Sequence, residues 1–109
     1  MTVVNHNQRV LSKLRKEGYV AEVVERWDSF SRRKHDLFGF IDILAVGNGL
    51  TLAIQVTSRS NMASRRKKMR TAPELPILLI AGWCVELWGF DKPANRWRLE
   101  IERVTPINA

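Results

Sequence analysis

The stretch from Gly39 to Thr57 constrains this chain more than any other. It reads GFIDILAV, then GNG, then LTLAIQVT. Asn48-Gly49 favours a two-residue type I′ turn, whose central residues both take positive φ. With those two residues as the loop, Gly47 faces Leu50 and every facing pair of residue numbers sums to 97. Leu44 then faces Ala53, Asp42 faces Gln55, and Phe40 faces Thr57. Facing residues share one side of a sheet, with Cβ atoms about 5 Å apart. The opposite side carries Ile41, Ile43, Ala45, Leu52, Ile54 and Val56 and is wholly apolar. The first side is apolar except at its far end, where Asp42, Gln55 and Thr57 collect. A one-residue slip would exchange the two sides, so the loop assignment carries this reading.

The remaining elements follow from periodicity. Val3 to Lys16 predicts a helix, with Val3, Val10, Leu11 and Leu14 at helical spacing and Gly18 ending the pattern. Arg9, Lys13, Arg15 and Lys16 make its outer side basic. Tyr19 to Trp27 predicts a strand, and the polar Ser29 to His35 a loop. Ser60 is placed to cap a helix from Asn61 to Thr71, closed by Pro73 and Pro76. Ile77 to Ala81 predicts a short internal strand. Trp83 to Phe90 and Arg96 to Val104 predict a second hairpin around the loop Asp91 to Asn95. In its second arm Trp97, Leu99 and Ile101 alternate with Arg98, Glu100 and Glu102. The expected product is one small α/β domain spanning residues 1–109, a mixed central sheet flanked by helices.

A chain of 109 residues has room for one core and excludes a multidomain enzyme with its own large cofactor domain. Its 18 Lys+Arg against 11 Asp+Glu leave a formal charge of +7. Such an excess favours a polyanionic partner, DNA or RNA first. Arg59, Arg65, Arg66, Lys67, Lys68 and Arg70 place six cations within 12 residues with no acid between them. Phosphates would relieve their mutual repulsion; the plainer alternative is a solvated face. Arg32, Arg33, Lys34 and His35 form a second basic cluster. Cys84 is the only cysteine, so no internal disulfide or cysteine-rich zinc site is expected. No apolar stretch is long enough for a membrane span or a signal peptide, which points to a cytoplasmic setting without a membrane partner.

Asp42 interrupts an apolar strand, and burying a lone carboxylate is costly unless a metal or several donors compensate. The alternative is a salt-bridged or wet position at the sheet edge. Gln55 and Thr57 share the Asp42 face and offer oxygen atoms. Mg²⁺ or Mn²⁺ takes hard oxygen ligands and keeps several waters. Asp42, Gln55 and the backbone carbonyl near Val56 suffice to hold such an ion weakly. That ion would assist phosphodiester hydrolysis. His35 is a candidate general base, with a phosphate contact or simple exposure as alternatives. His6 has no partner that the sequence names.

The passage Gly39-Phe40-Ile41-Asp42, a turn, Leu52 to Ser58, then a basic helix, resembles the PD-(D/E)XK nuclease superfamily. Within it the look is that of small archaeal-type Holliday junction resolvases and VRR-NUC-like nucleases. The resemblance covers roughly residues 5–82 and implies a restriction-endonuclease-like core. It implies a metal-binding Asp in a Gly-x-x-Asp context, matched by Asp42, followed by Glu-x-Lys on the next strand. Here that second motif is Gln55-Val56-Thr57. The Glu-Arg-x-Leu of the opening helix is Gln8-Arg9-Val10-Leu11, followed by Gly18-Tyr19. The resemblance assigns Asp42, Gln55 and Thr57 to the catalytic positions, with Gln8 as the helix contribution. Three of those four positions carry neutral polar groups. Asp36, Glu22, Glu25 and Lys68 are the candidates for relocated charges; the alternative for Glu22, Glu25 and Lys68 is simple solvation.

Trp83 and Trp97 lie on apolar patterns and are expected in the core. Trp88 shares a face with Cys84, Glu86 and Phe90, and aromatic faces of this kind suit a homodimer surface; related resolvases are dimeric. The favoured reading is a metal-dependent DNA endonuclease acting on phosphodiester bonds, with branched or structured DNA as the substrate. The alternatives are a non-catalytic DNA-binding module on the same fold and a protein- or RNA-binding accessory factor.

Overall fold

The computed structural model describes residues 6–106. Helix α1 spans His6–Lys16 and packs Val10, Leu11 and Leu14 inward. The expected helical start at Val3 lies outside the described residues. Basic residues fill its last turn, where they complement the negative end of the helix dipole.

A five-stranded sheet runs in the order β1-β4-β5-β6-β7, built from β1 Val20–Val23, β4 Ile43–Gly47, β5 Leu50–Ser58, β6 Cys84–Asp91 and β7 Arg98–Arg103. The β4–β5 register pairs Gly47 with Leu50, Leu44 with Ala53 and Ile43 with Ile54, as the turn requires. Asn48 and Gly49 both hold positive φ, 52° and 76°. The Asn48 amide also donates to the Glu17 carbonyl at the end of α1, at 3.0 Å. Strand β6 runs parallel to β5, and a parallel neighbour demands a long crossover. That crossover carries helix α2, Met62–Arg70, and helix α3, Glu74–Ile80. Strand β7 returns antiparallel to β6, so the terminal hairpin forms as expected.

The sheet separates two cores. On one side α1 meets Ala21, Ile43, Ala45, Leu52, Ile54, Trp88 and Phe90. On the other, Met62, Met69, Leu75 and Leu78 cover Phe40, Ala53, Val85 and Leu87. The mixed sheet flanked by helices is therefore observed, and it holds the expected α/β architecture.

Five local expectations are corrected. Ile77 to Ala81 is not a strand: Ile77 to Ile80 end α3 and Ala81 is its C-cap. Pro76 is tolerated there because first-turn N–H groups have no helical acceptor. Leu75 and Leu78 point inward at helical spacing, and Gly82 at φ 89° closes the helix. The Gly82 N–H reaches the Leu79 carbonyl and the Trp83 N–H the Leu78 carbonyl, both at 3.0 Å, the paired bonds of a Schellman cap. Ser60 caps nothing. It sits in a short 3₁₀ turn, Arg59–Asn61, and Asn61 holds the cap position without a side-chain bond.

The expected strand over Tyr19 to Trp27 breaks after Val23, and the expected loop over Ser29 to His35 contains a strand. Strand β2 Arg26–Asp28 pairs with strand β3 Arg33–His35 in a separate hairpin. Finally, strand β4 starts at Ile43, not Gly39. Residues Leu37 to Ile41 form a tight turn closed by reciprocal backbone bonds at 3.0 Å. Gly39 takes φ 83°, which accounts for a glycine three residues before Asp42. The turn breaks the strand alternation, so Ile41 packs with Phe40 in the second core rather than beside Ile43.

Candidate metal and phosphodiester site

Asp42 is 6% exposed. Its backbone N–H donates to the Ile54 carbonyl at 2.9 Å, and its carbonyl accepts the Val24 N–H at 2.8 Å. The residue is thus clamped between β5 and the extension of β1. Its Oδ2 accepts the Val56 N–H and the Gln55 side-chain amide, each at 2.8 Å. The predicted facing of Asp42 and Gln55 is realised as a direct hydrogen bond.

The turn at Leu37 to Ile41 does more than end a loop. Its bridge aligns residues 37 and 41, so the flanking Asp36 and Asp42 are brought together. Glu25, just past β1, joins them. Ligand oxygens of Glu25, Asp36 and Asp42 all lie within 4.8 Å of one another. Burial pushes the Asp42 carboxyl up to about 7, against the Val56 hydrogen bond and reinforced by the Asp36 and Glu25 carboxylates. A proton or a cation must offset this concentration of negative charge.

These groups line a cleft of about 290 Å³ together with His6, Asn7, Gln55, Val56 and Arg65. Gln55 is 2% exposed, and its Oε1 is buried without a hydrogen-bond partner. An acceptor left unsatisfied at such a point costs about 1–3 kcal/mol. Its position in an acidic cleft fits a cation ligand.

The other sequence candidates divide. Asp36 and Glu25 enter the cleft. Glu22 does not: its carboxylate is 76% exposed and lies 4.0 Å from Arg15. Thr57 is buried but does not line the cleft. Gln8 faces outward beside Ser12 and Lys13, and Asn7 takes the inner position, with its amide 3.2 Å from Glu25 Oε1. The spacing of residues 7, 10, 11 and 14 was the available signal, since one helical stripe contains them all. His35 is held by Ser31 at 3.1 Å and Asp28 at 3.3 Å, away from the cleft, so it is not placed as its base. His6 stacks on Phe90 with ring centroids 4.8 Å apart and meets Trp97 edge-on. Burial lowers its imidazole pKa, with Arg9 adding to the effect.

Lys68 is exposed on the outer side of α2 and does not enter the cleft; Arg65 does. The buried Met62 and Met69 mark the inner side of α2, and Arg65 and Arg66 lie between them at helical spacing. The cation row, which no acid interrupts in the sequence, is partly paired within the fold. Arg66 makes a paired contact with Glu102 at 2.5 and 2.7 Å, which raises the Arg66 pKa and lowers that of Glu102. Arg59 meets Glu100 at 2.6 Å and Asp91 at 3.5 Å. Arg70 donates to the Thr105 carbonyl at 3.0 Å. Acids from the terminal hairpin, distant in sequence, therefore answer two of the six cations, Arg59 and Arg66. Arg65, Lys67, Lys68 and Arg70 make no ion pair among the described residues. Trp88 and Phe90 are buried under α1, so the face expected to form a dimer is part of the core.

A Holliday junction resolvase, Hjc, from the archaeal hyperthermophile Archaeoglobus fulgidus has a similar fold. The superposition gives a TM-score of 0.52 at 20% sequence identity, covering 88% of this chain and 72% of that one. No family profile and no curated protein matches the sequence. The chain thus carries a resolvase-like, restriction-endonuclease-like α/β fold. Among the described residues, no helix is long and apolar enough to cross a membrane.

Proposed function

We propose that this chain is a divalent-metal-dependent endonuclease that hydrolyses phosphodiester bonds of branched DNA. The observation that carries this reading is the convergence of Glu25, Asp36 and Asp42 on one cleft beside the unsatisfied Oε1 of Gln55. The donor set is all oxygen, which suits Mg²⁺ or Mn²⁺. Asp42, Asp36 and Glu25 would hold the ion, with Gln55 Oε1 and the Val56 carbonyl as neutral ligands. When bound, the ion supplies Lewis-acid assistance and a more acidic water. Two relocated carboxylates thus replace the charge missing at position 55.

Thr57 cannot supply the cation expected two residues after Gln55. Arg65 answers that need from α2: it lines the same cleft and is free to face a phosphate. Arginine matches phosphate oxygens through its planar fork. Lys67, Lys68, Arg32 and Arg33 extend the positive surface along which a DNA backbone would lie. Two-fold pairing of chains belongs to the same reading. The outer side of α3, with Ile77 66% and Ile80 88% exposed, replaces the buried Trp88 face as its contact; light scattering at several concentrations measures it.

The neutral Gln55 and Thr57 favour one other reading, a DNA-binding module without catalysis. The discriminating experiment is cleavage of four-way junction, flap, single-stranded and linear duplex DNA with Mg²⁺, Mn²⁺ or EDTA. Metal-dependent cleavage of the branched substrates, lost in Asp42→Asn, supports the nuclease. Equal gel shifts of both proteins with no cleavage on any substrate would leave only the binding module.

A further inference from the structure

The β2–β3 hairpin grows out of the candidate site itself. Glu25 immediately precedes β2 and Asp36 immediately follows β3, so two of the three clustered carboxylates stand at its base. Its tip is Phe30, which is 98% exposed. An aromatic ring left this open needs a reason, because its residue neighbours Ser29, Ser31 and Arg32 give it no apolar surroundings.

The tip is built rather than loose. Asp28 Oδ1 accepts the Phe30 N–H at 2.9 Å, and backbone and side-chain bonds from the turn hold the Asp28 carboxyl below its usual pKa. His35 ties Ser31 and Asp28 together across the hairpin. Arg32 adopts φ 55°. This network holds the backbone of Phe30 at the outermost point of the arm. Trp27 lies lower on the arm and is 61% exposed, opposite Lys34. Arg26, Arg32 and Arg33 are exposed and make no ion pair among the described residues.

We propose that this hairpin is a second DNA-contact site, a stacking arm that receives an unpaired nucleobase on Phe30 and the adjoining phosphates on Arg26, Arg32 and Arg33. The inference rests on the DNA reading above and deepens it by naming the feature of the substrate that the arm selects. A flat ring flanked by cations is the combination that holds unstacked bases, and a partner protein would require a wider apolar surface than the separate rings of Phe30 and Trp27 provide. Each arm of the hairpin holds three strand residues, about 10 Å of extended chain, and the turn that carries Phe30 lies beyond them. The unpaired base is therefore expected several base steps from the phosphate in the cleft, not at the phosphate itself.

The test is fluorescence-anisotropy titration in EDTA with two labelled probes. One is a fully paired duplex; the other is the same duplex carrying a three-nucleotide unpaired bulge. Phe30→Ala is expected to lose about ten- to hundredfold in affinity for the bulged probe and less than twofold for the paired one, while Phe30→Tyr retains binding. Phe30 touches no core residue, so unchanged thermal unfolding of Phe30→Ala accompanies this result. Equal affinity of wild type and Phe30→Ala for the bulged probe overturns the stacking arm and leaves DNA binding intact. Equal losses on both probes overturn it too, since the arm would then read only the backbone. Failure of the wild type to bind either probe at low salt overturns both readings. Capture by anionic phosphatidylserine vesicles without preference for unpaired bases assigns the aromatic tip to a lipid surface and overturns the proposal.

Discussion

The Gln55 amide donates to Oδ2 of Asp42 at 2.8 Å, so a neutral residue supports the carboxylate that burial disfavours. A carboxylate at position 55 would remove this donor and add a fourth negative group to the cluster. In EDTA, Gln55→Glu is expected to be destabilised by about 1–3 kcal/mol. With Mn²⁺ its melting temperature should rise further than that of the parent, because a charged ligand has replaced a neutral one. Thermal unfolding with and without the ion measures both effects. Equal Mn²⁺ shifts in the two proteins would remove residue 55 from the ligand set.

The pH dependence of stability has a defined sign. The folded chain retains the Asp42 proton up to about 7, whereas an unperturbed aspartate releases it near 3.8. Between those values the folded state binds more protons than the unfolded state. The metal-free chain therefore loses stability as pH rises through this window, by an amount on the order of a few kcal/mol. Asp42→Asn should flatten that part of the profile and exceed the parent in stability at pH 8. Chemical denaturation across pH 4 to 8, about the width of the window, decides the matter. A parent profile without this decline would contradict the electrostatics of the cleft.

Adjacent arginines on α2 should separate function from stability. Arg65 faces the cleft, and Arg65→Ala is expected to change stability by no more than about 0.5 kcal/mol while lowering DNA cleavage or affinity. Arg66 holds Glu102 of the edge strand β7, and the pair is about one-third exposed. Arg66→Ala is expected to cost about 0.5–1 kcal/mol, with a smaller effect on cleavage. Paired denaturation and DNA assays on the two variants measure the contrast. The reverse pattern would exchange their roles.

Gly82 ends α3 at φ 89°. Its substitution tests why an apolar segment became a helix. A Cβ there meets nothing within 4 Å, so the cost of Gly82→Ala is backbone strain alone, about 1–2 kcal/mol. Urea denaturation with an unchanged m-value would show this loss as a shift in midpoint. No shift would mean that α3 does not depend on its glycine cap.

Gly89 makes a contrasting case on β6. A Cβ at that position would overlap the Met62 side chain at the start of α2. Gly89→Ala should destabilise the chain by about 1–3 kcal/mol through overpacking. In a Met62→Ala background, itself destabilised by the lost core packing, Gly89→Ala should cost less than it does in the parent. Denaturation of the single and double variants measures the coupling.

The amino-acid sequence by itself determined the central hairpin, its register and the meeting of Asp42 with Gln55. Those features are local: Asn48-Gly49 sets a turn with two positive φ angles, and period-two alternation then assigns each side chain to a face. The terminal hairpin was legible for the same reason. Only the tertiary structure decided the rest of the site. Glu25 and Asp36 reach Asp42 because a five-residue turn and a separate hairpin fold back on the sheet, arrangements without a period to read. Arg65 enters the cleft in place of Lys68, and Asn7 in place of Gln8, because helix rotation is set by which side packs on the sheet. Glu100 and Glu102 neutralise Arg59 and Arg66 because a parallel crossover brings chain segments more than 30 residues apart together. Ile77 to Ala81 had the composition of a buried strand, yet capping by Gly82 and inward packing of Leu75 and Leu78 made it a helix. Local chemistry defined the turns and alternation, while long-range packing chose which charges meet.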